Sequence, residues 1–75
     1  MAAETKVMWR FSGERVQTLR EFKGLNHEGF ARLLGCAASQ IRAWERGQRH
    51  PNMQSLIKMC NEFSVLPASF FMPDV

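Results

Sequence analysis

Between Ala37 and His50 the chain carries three arginines, Arg42, Arg46 and Arg49, and one acid, Glu45. A guanidinium is always charged, and its rigid fork of N–H donors fits a phosphate or the edge of guanine. His27 and His50 border this stretch and gain partial positive charge beside a phosphate. Such a group is suited to recognising nucleic acid, not to making or breaking bonds. No carboxylate pair, metal cluster, phosphate-cradling glycine loop or nucleophile with a base stands at a useful spacing. The expectation is therefore no enzyme, no cofactor and no metal. A run of charge is otherwise a plain solvated face, so the elements beneath these arginines decide what they do.

Those elements are legible in His27 to Gly47, HEGFARLLGCAASQIRAWERG. Counting His27 as position 1, Ala31 falls at 5, Gly35 at 9, Ile41 at 15 and Trp44 at 18. A small residue at Ala31 lets a second helix cross closely over the first. Gly35 ends the first of the two helices, where the backbone takes a positive φ that a side chain resists. Ile41 and Trp44, three apart, aim one face of the second helix into a core. The pattern is a helix-turn-helix, an arrangement chiefly used to lay a helix in the DNA major groove.

Around it the spacing predicts further helices. One runs from about Gly13 to Lys23, capped by Ser12, with Phe11 and Val16 as a hydrophobic staple and Val16, Leu19 and Phe22 as its buried face. The helix-turn-helix itself supplies His27 to Leu34, capped by Asn26, and Ala38 to Arg46, whose cap position is Ala37 and offers no acceptor. Gly29, inside the former, is either simply tolerated or allows close approach to a sugar-phosphate strand. Asn52 caps a helix from Met53 to about Phe63, with Met53, Leu56, Ile57, Cys60 and Phe63 closing the core. A short fifth helix starts at Pro67. No strand, repeat or low-complexity tract is expected. Residues 1–10 read as an N-terminal arm, 11–72 as the domain, and 73–75 as a C-terminal tail, with Met72 to Val75 frayed.

Seventy-five residues make one domain of ordinary 45 % hydrophobic content. Ten Lys and Arg against seven Asp and Glu give a mildly basic net charge of +3. No apolar run approaches the ~20 residues a membrane span needs, and MAAETKVMWR lacks a signal peptide's apolar core. A cytoplasmic protein with no membrane partner is expected. Cys36 and Cys60 read as small buried hydrophobes in a reducing compartment.

The segment GERVQTLREFKGLNHEGFARLLGCAASQIRAWERGQRHPNMQSLIKMCNEFSV resembles the Cro/cI-type helix-turn-helix domain, the Xre family, over about residues 12–71. LREFKGLN, FARLLG and IRAWERGQRHP carry the likeness, in matching order and spacing. The resemblance implies an all-α fold: a compact five-helix, lambda-repressor-like domain whose helices 2 and 3 form the helix-turn-helix. It also implies a dimer, an operator with two-fold symmetry, and an ion pair between Arg20 and Glu45. The chain departs from the family where a helix-opening glutamine becomes His27. That residue normally touches phosphate and braces helix 3. The usual Ser or Thr cap of helix 3 is Ala37, and the next position, often a base-reading side chain, is Ala38. The usual Gly-Val-Ser before helix 5 reads Ser64, Val65, Leu66.

With Ile41 and Trp44 turned inward, Ala38, Ser39, Arg42 and Ala43 are left for the groove. Arg42 is the expected specificity residue through bidentate pairing with guanine. Ser39 bonds any base or a phosphate. Gln40 points sideways, to a base or a phosphate. Ala38 and Ala43 either meet thymine methyl groups or serve helix propensity alone. Asn26, His27, Arg46, Arg49 and His50 are expected on phosphates. This role requires that Arg42 not fold against its own subunit. The implied function is a sequence-specific transcriptional regulator acting mainly as a repressor. It would bind double-stranded DNA as a homodimer, through Met8 and Trp9 or through Leu66, Phe70 and Phe71, unless these close the core. The alternatives are an antitoxin gripping a toxin, and a protein-interaction domain that has kept the fold without DNA binding.

Overall fold

A computed structural model describes residues 6–74. Four α-helices follow one another: α1 Gly13–Phe22, α2 His27–Leu34, α3 Ala38–Glu45 and α4 Met53–Phe63. A single 3₁₀ turn, Pro67–Phe70, stands where a fifth helix was expected. Two strands close the domain: β1, Trp9–Phe11, pairs antiparallel with β2, Phe71–Pro73, so that Arg10 lies opposite Met72. The expectations of five helices and of no strands are both corrected. Trp9 and Arg10, assigned to the arm, and Met72 and Pro73, expected to fray, form this ribbon. Residues 1–5 of the expected arm and Val75 of the expected tail lie outside the described residues. No helix among the described residues is long and apolar enough to cross a membrane.

Side-chain caps set the helix starts. Ser12, Asn26 and Asn52 each accept a backbone N–H of the first turn, from Arg15, Gly29 and Ser55. Each such cap contributes about 1 kcal/mol. Gly35 takes the left-handed conformation at φ 72° and sends the chain from α2 into α3. Lys58 Nζ donates to the Leu34 carbonyl at 3.2 Å, a cation set on the negative end of α2.

The core lies where α1, α2, α3 and α4 meet the 3₁₀ turn. Val16, Phe30, Leu34, Ile41, Met59 and Phe70 are fully buried, each stabilising the fold by roughly 1.5–3 kcal/mol. At Gly13 two elements approach closely. A Cβ there would collide with the carbonyl oxygens of Trp44 and Glu45, the latter at 2.7 Å, so α1 and the end of α3 touch backbone to backbone. Phe22 departs from its expected place and is 86 % exposed. It sits roughly 120° around the helix from Val16, whereas Arg20, one turn on, holds the inward position. Met53 and Ile57 are also exposed, because Leu56, Met59 and Cys60 form the inward stripe of α4. Burial pushes both thiols, Cys36 and Cys60, above their ordinary range, so they stay protonated.

Candidate nucleic-acid interface

The buried faces fix what α3 can present. Ile41 and Trp44 point into the core at 0 % and 3 % exposure. Ser39 and Gln40 are exposed, while Ala38, Arg42 and Ala43 are half-buried. Arg46, Arg49 and His50 follow α3 on exposed chain. A shallow depression between α1, α2 and α3 is lined by Gln17, His27, Arg42, Glu45 and Arg46.

Beneath it lies an ionic knot. Arg20 Nε donates to Glu45 Oε2 at 2.7 Å and Nη2 donates to Oε1 at 3.2 Å, a two-pronged pair. Arg20 Nη1 also donates to the Leu25 carbonyl at 2.9 Å. Both side chains are nearly buried, at 10 % and 8 % exposure. His27 Nε2 completes the knot, 3.1 Å from Glu45 Oε1. A carboxylate only accepts, so Nε2 must carry the proton in this contact. Burial pushes the Glu45 carboxyl up, but the hydrogen bonds from Arg20 and His27 together outweigh it and hold the group below its ordinary value. The same pairing raises Arg20. Three elements, α1, α2 and the end of α3, are thus tied at one carboxylate.

Several expected contact residues already have partners. Gln40 Oε1 accepts the Ala37 N–H at 2.9 Å. The start of α3 is therefore capped from inside the helix, one half of a capping box whose other half alanine cannot supply. The Gln40 amide N–H groups remain to donate. Asn26 Oδ1 caps α2 through Gly29 at 2.7 Å, and a Cβ on Gly29 would stand 3.1 Å from that oxygen. His27 is occupied on one nitrogen by Glu45, and His50 Nδ1 stands 3.3 Å from the Pro51 carbonyl. The expectation that Arg42 stands clear of its own subunit is corrected: its Nη2 donates to Glu28 Oε2 at 2.7 Å, an acid of the same chain, with both side chains half-exposed, so that only part of the guanidinium is left to donate outward. That bond holds the Glu28 carboxyl below its ordinary value. Glu28 has no place in the sequence expectation, although it sits in the first turn of α2, where the helix dipole favours an acid.

The family model described as helix-turn-helix matches residues 16–70, nearly the whole bundle. The chain belongs to this family. Its members of the Cro/cI type share the lambda-repressor-like fold found here, and they are transcriptional regulators. The HTH-type transcriptional activator BcrR of Enterococcus faecalis is 40 % identical over 52 residues. That match takes in 69 % of this chain but only 26 % of the relative, so the chain spans about a quarter of BcrR's length. The restriction-modification controller protein C.AhdI of Aeromonas hydrophila superposes with a TM-score of 0.67 at 33 % identity, over 77 % of this chain and 88 % of that one. The P22 c2 repressor, solved with a synthetic operator, superposes with a TM-score of 0.72 over 88 % of this chain and 94 % of that one. At 23 % identity that likeness is one of fold.

Proposed function

We propose that this chain is a sequence-specific DNA-binding regulator that lays α3 in the major groove. The observation that carries the reading is the division of α3 by burial. Ile41 and Trp44 lock one side into the core, while Ser39, Gln40 and Arg42 stand on the other, with Arg46 and Arg49 beyond them. Arg42 reads a guanine, Ser39 and the Gln40 amide reach neighbouring bases, and Ala38 and Ala43 leave room for thymine methyl groups. Arg46, Arg49, His50, the Asn26 amide and the outer nitrogen of His27 hold phosphates, so that contacts that position stay distinct from contacts that specify.

One such domain touches few base pairs. Two copies on half-sites about 34 Å apart supply the affinity. Exposed Met8, Trp9 and Leu66 support a second copy, whereas Phe70 is fully buried and belongs to the core. Occupancy of an operator, excluding polymerase, is the regulatory act this surface supplies.

Arginine substitutions separate the two kinds of contact. Arg42→Ala is expected to lower affinity for the best site by about 1–3 kcal/mol and to relax preference at one base pair. Arg49→Ala is expected to weaken all duplexes alike and flatten the salt dependence by about one charge. Binding to a panel of substituted operators at two salt concentrations checks both. An unchanged ranking of sites by Arg42→Ala contradicts the reading.

A further inference from the structure

The contact between α2 and the arginine of α3 has a consequence for specificity. We propose that Glu28 is a positioning residue that holds the Arg42 guanidinium in its base-reading pose. The inference rests on the reading of Arg42 as the base-facing side chain.

Arg42 Nη2 donates to Glu28 Oε2 at 2.7 Å, across 14 residues and between two different helices. A guanidinium has two two-pronged donor edges, one made by Nε and Nη2 and the other by Nη1 and Nη2. Nη2 carries two hydrogens, one for each edge. A single bond to Glu28 therefore uses one edge and leaves the other whole for guanine O6 and N7. A free arginine on a surface samples many rotamers, and binding must immobilise it. Glu28 fixes it beforehand from a rigid place, since the first turn of α2 is held by the Asn26 cap and by the His27 contact with Glu45.

The charge of Glu28 acts in the same direction. A carboxylate at 53 % exposure beside Arg42 repels phosphates and lowers affinity for any duplex, right or wrong. A correct base recovers that loss by engaging an arginine already in position. A wrong base does not. Glu28 thus exchanges general affinity for discrimination.

The test compares wild type, Glu28→Ala, Glu28→Gln and Arg42→Ala on the preferred duplex and on duplexes substituted at the guanine Arg42 reads. Thermal melts accompany the binding curves, because an exposed pair contributes little to folding and the melts should coincide. Glu28→Ala is expected to bind non-cognate duplexes more tightly and to lose roughly threefold to tenfold of the discrimination at that base pair. Glu28→Gln keeps an acceptor for Nη2 and is expected to retain more discrimination than alanine. A parallel rise in affinity for every duplex, with the ranking intact, overturns the proposal, as do equal losses for glutamine and alanine. If Arg42→Ala itself leaves the ranking intact, the reading beneath the proposal fails instead, and the two failures are told apart.

Discussion

Glu45 is the residue on which most converges. Its side chain is buried and receives three hydrogen bonds, two from Arg20 and one from His27. Removing it strands a buried arginine, which costs about 3–5 kcal/mol. Glu45→Ala is therefore expected to lower the melting temperature by about 12 °C or more, as a thermal melt followed by circular dichroism would show. The pH dependence has a definite sign. The folded carboxyl lies below its ordinary value of 4.5, so the folded state binds fewer protons than the unfolded chain. Its stabilisation is complete above that value and is lost as pH falls through the lower folded value. Melting temperature measured between pH 7 and pH 3 is expected to fall steeply in wild type and less steeply in Glu45→Gln. Equal slopes would show that another group governs acid unfolding. The Arg20–Glu45 pair was legible through family resemblance, because LR and WERG stand at their usual places. The Glu28–Arg42 contact was not. Fourteen residues separate the two, and no local spacing rule joins residues on different helices.

Helices α1, α2 and α4 were legible because each opens on a capping side chain, whereas α3, which opens at Ala37, was legible from the inward spacing of Ile41 and Trp44 and the stop at Gly47. Asn26 and Asn52 open α2 and α4 at the expected residues, and Gly35 closes α2. The ribbon was hidden because three-residue strands are too short for alternation to show, and their partners lie at opposite ends of the chain. Phe22 misled for a related reason: an apolar residue at a plausible spacing yields its place when a charged neighbour has a buried partner. Two substitutions test the element-scale account. Alanine normally favours a helix over glycine by about 1 kcal/mol, yet Gly13→Ala is expected to destabilise. The new methyl meets backbone of α3, which cannot move aside, and overpacking of this kind costs about 1–3 kcal/mol. Ser64 ends α4 in the left-handed region at φ 53°, where the family has glycine. Ser64→Gly is expected to stabilise by about 1 kcal/mol. Urea unfolding of both variants checks the opposite signs, and a stabilised Gly13→Ala would mean that α1 and α3 are not in backbone contact.

At the scale of the whole molecule, the bundle holds one surface still. The knot at Glu45 fixes α1, α2 and the end of α3 relative to one another, and the close approach at Gly13 sets their spacing. The arginines of α3 and the loop after it then occupy defined positions on a domain of net charge +3. That excess is modest, and on the proposed reading sequence enters through base contacts. On the proposed reading a single domain offers few of these, and a second copy on the same operator would supply the remaining affinity. Whether this surface selects sequence is decided by recovering bound duplexes from a random pool with the purified protein. Enrichment of a motif containing guanine, repeated with two-fold symmetry about one helical turn apart, is expected. A bound pool with the composition of the starting pool contradicts the reading.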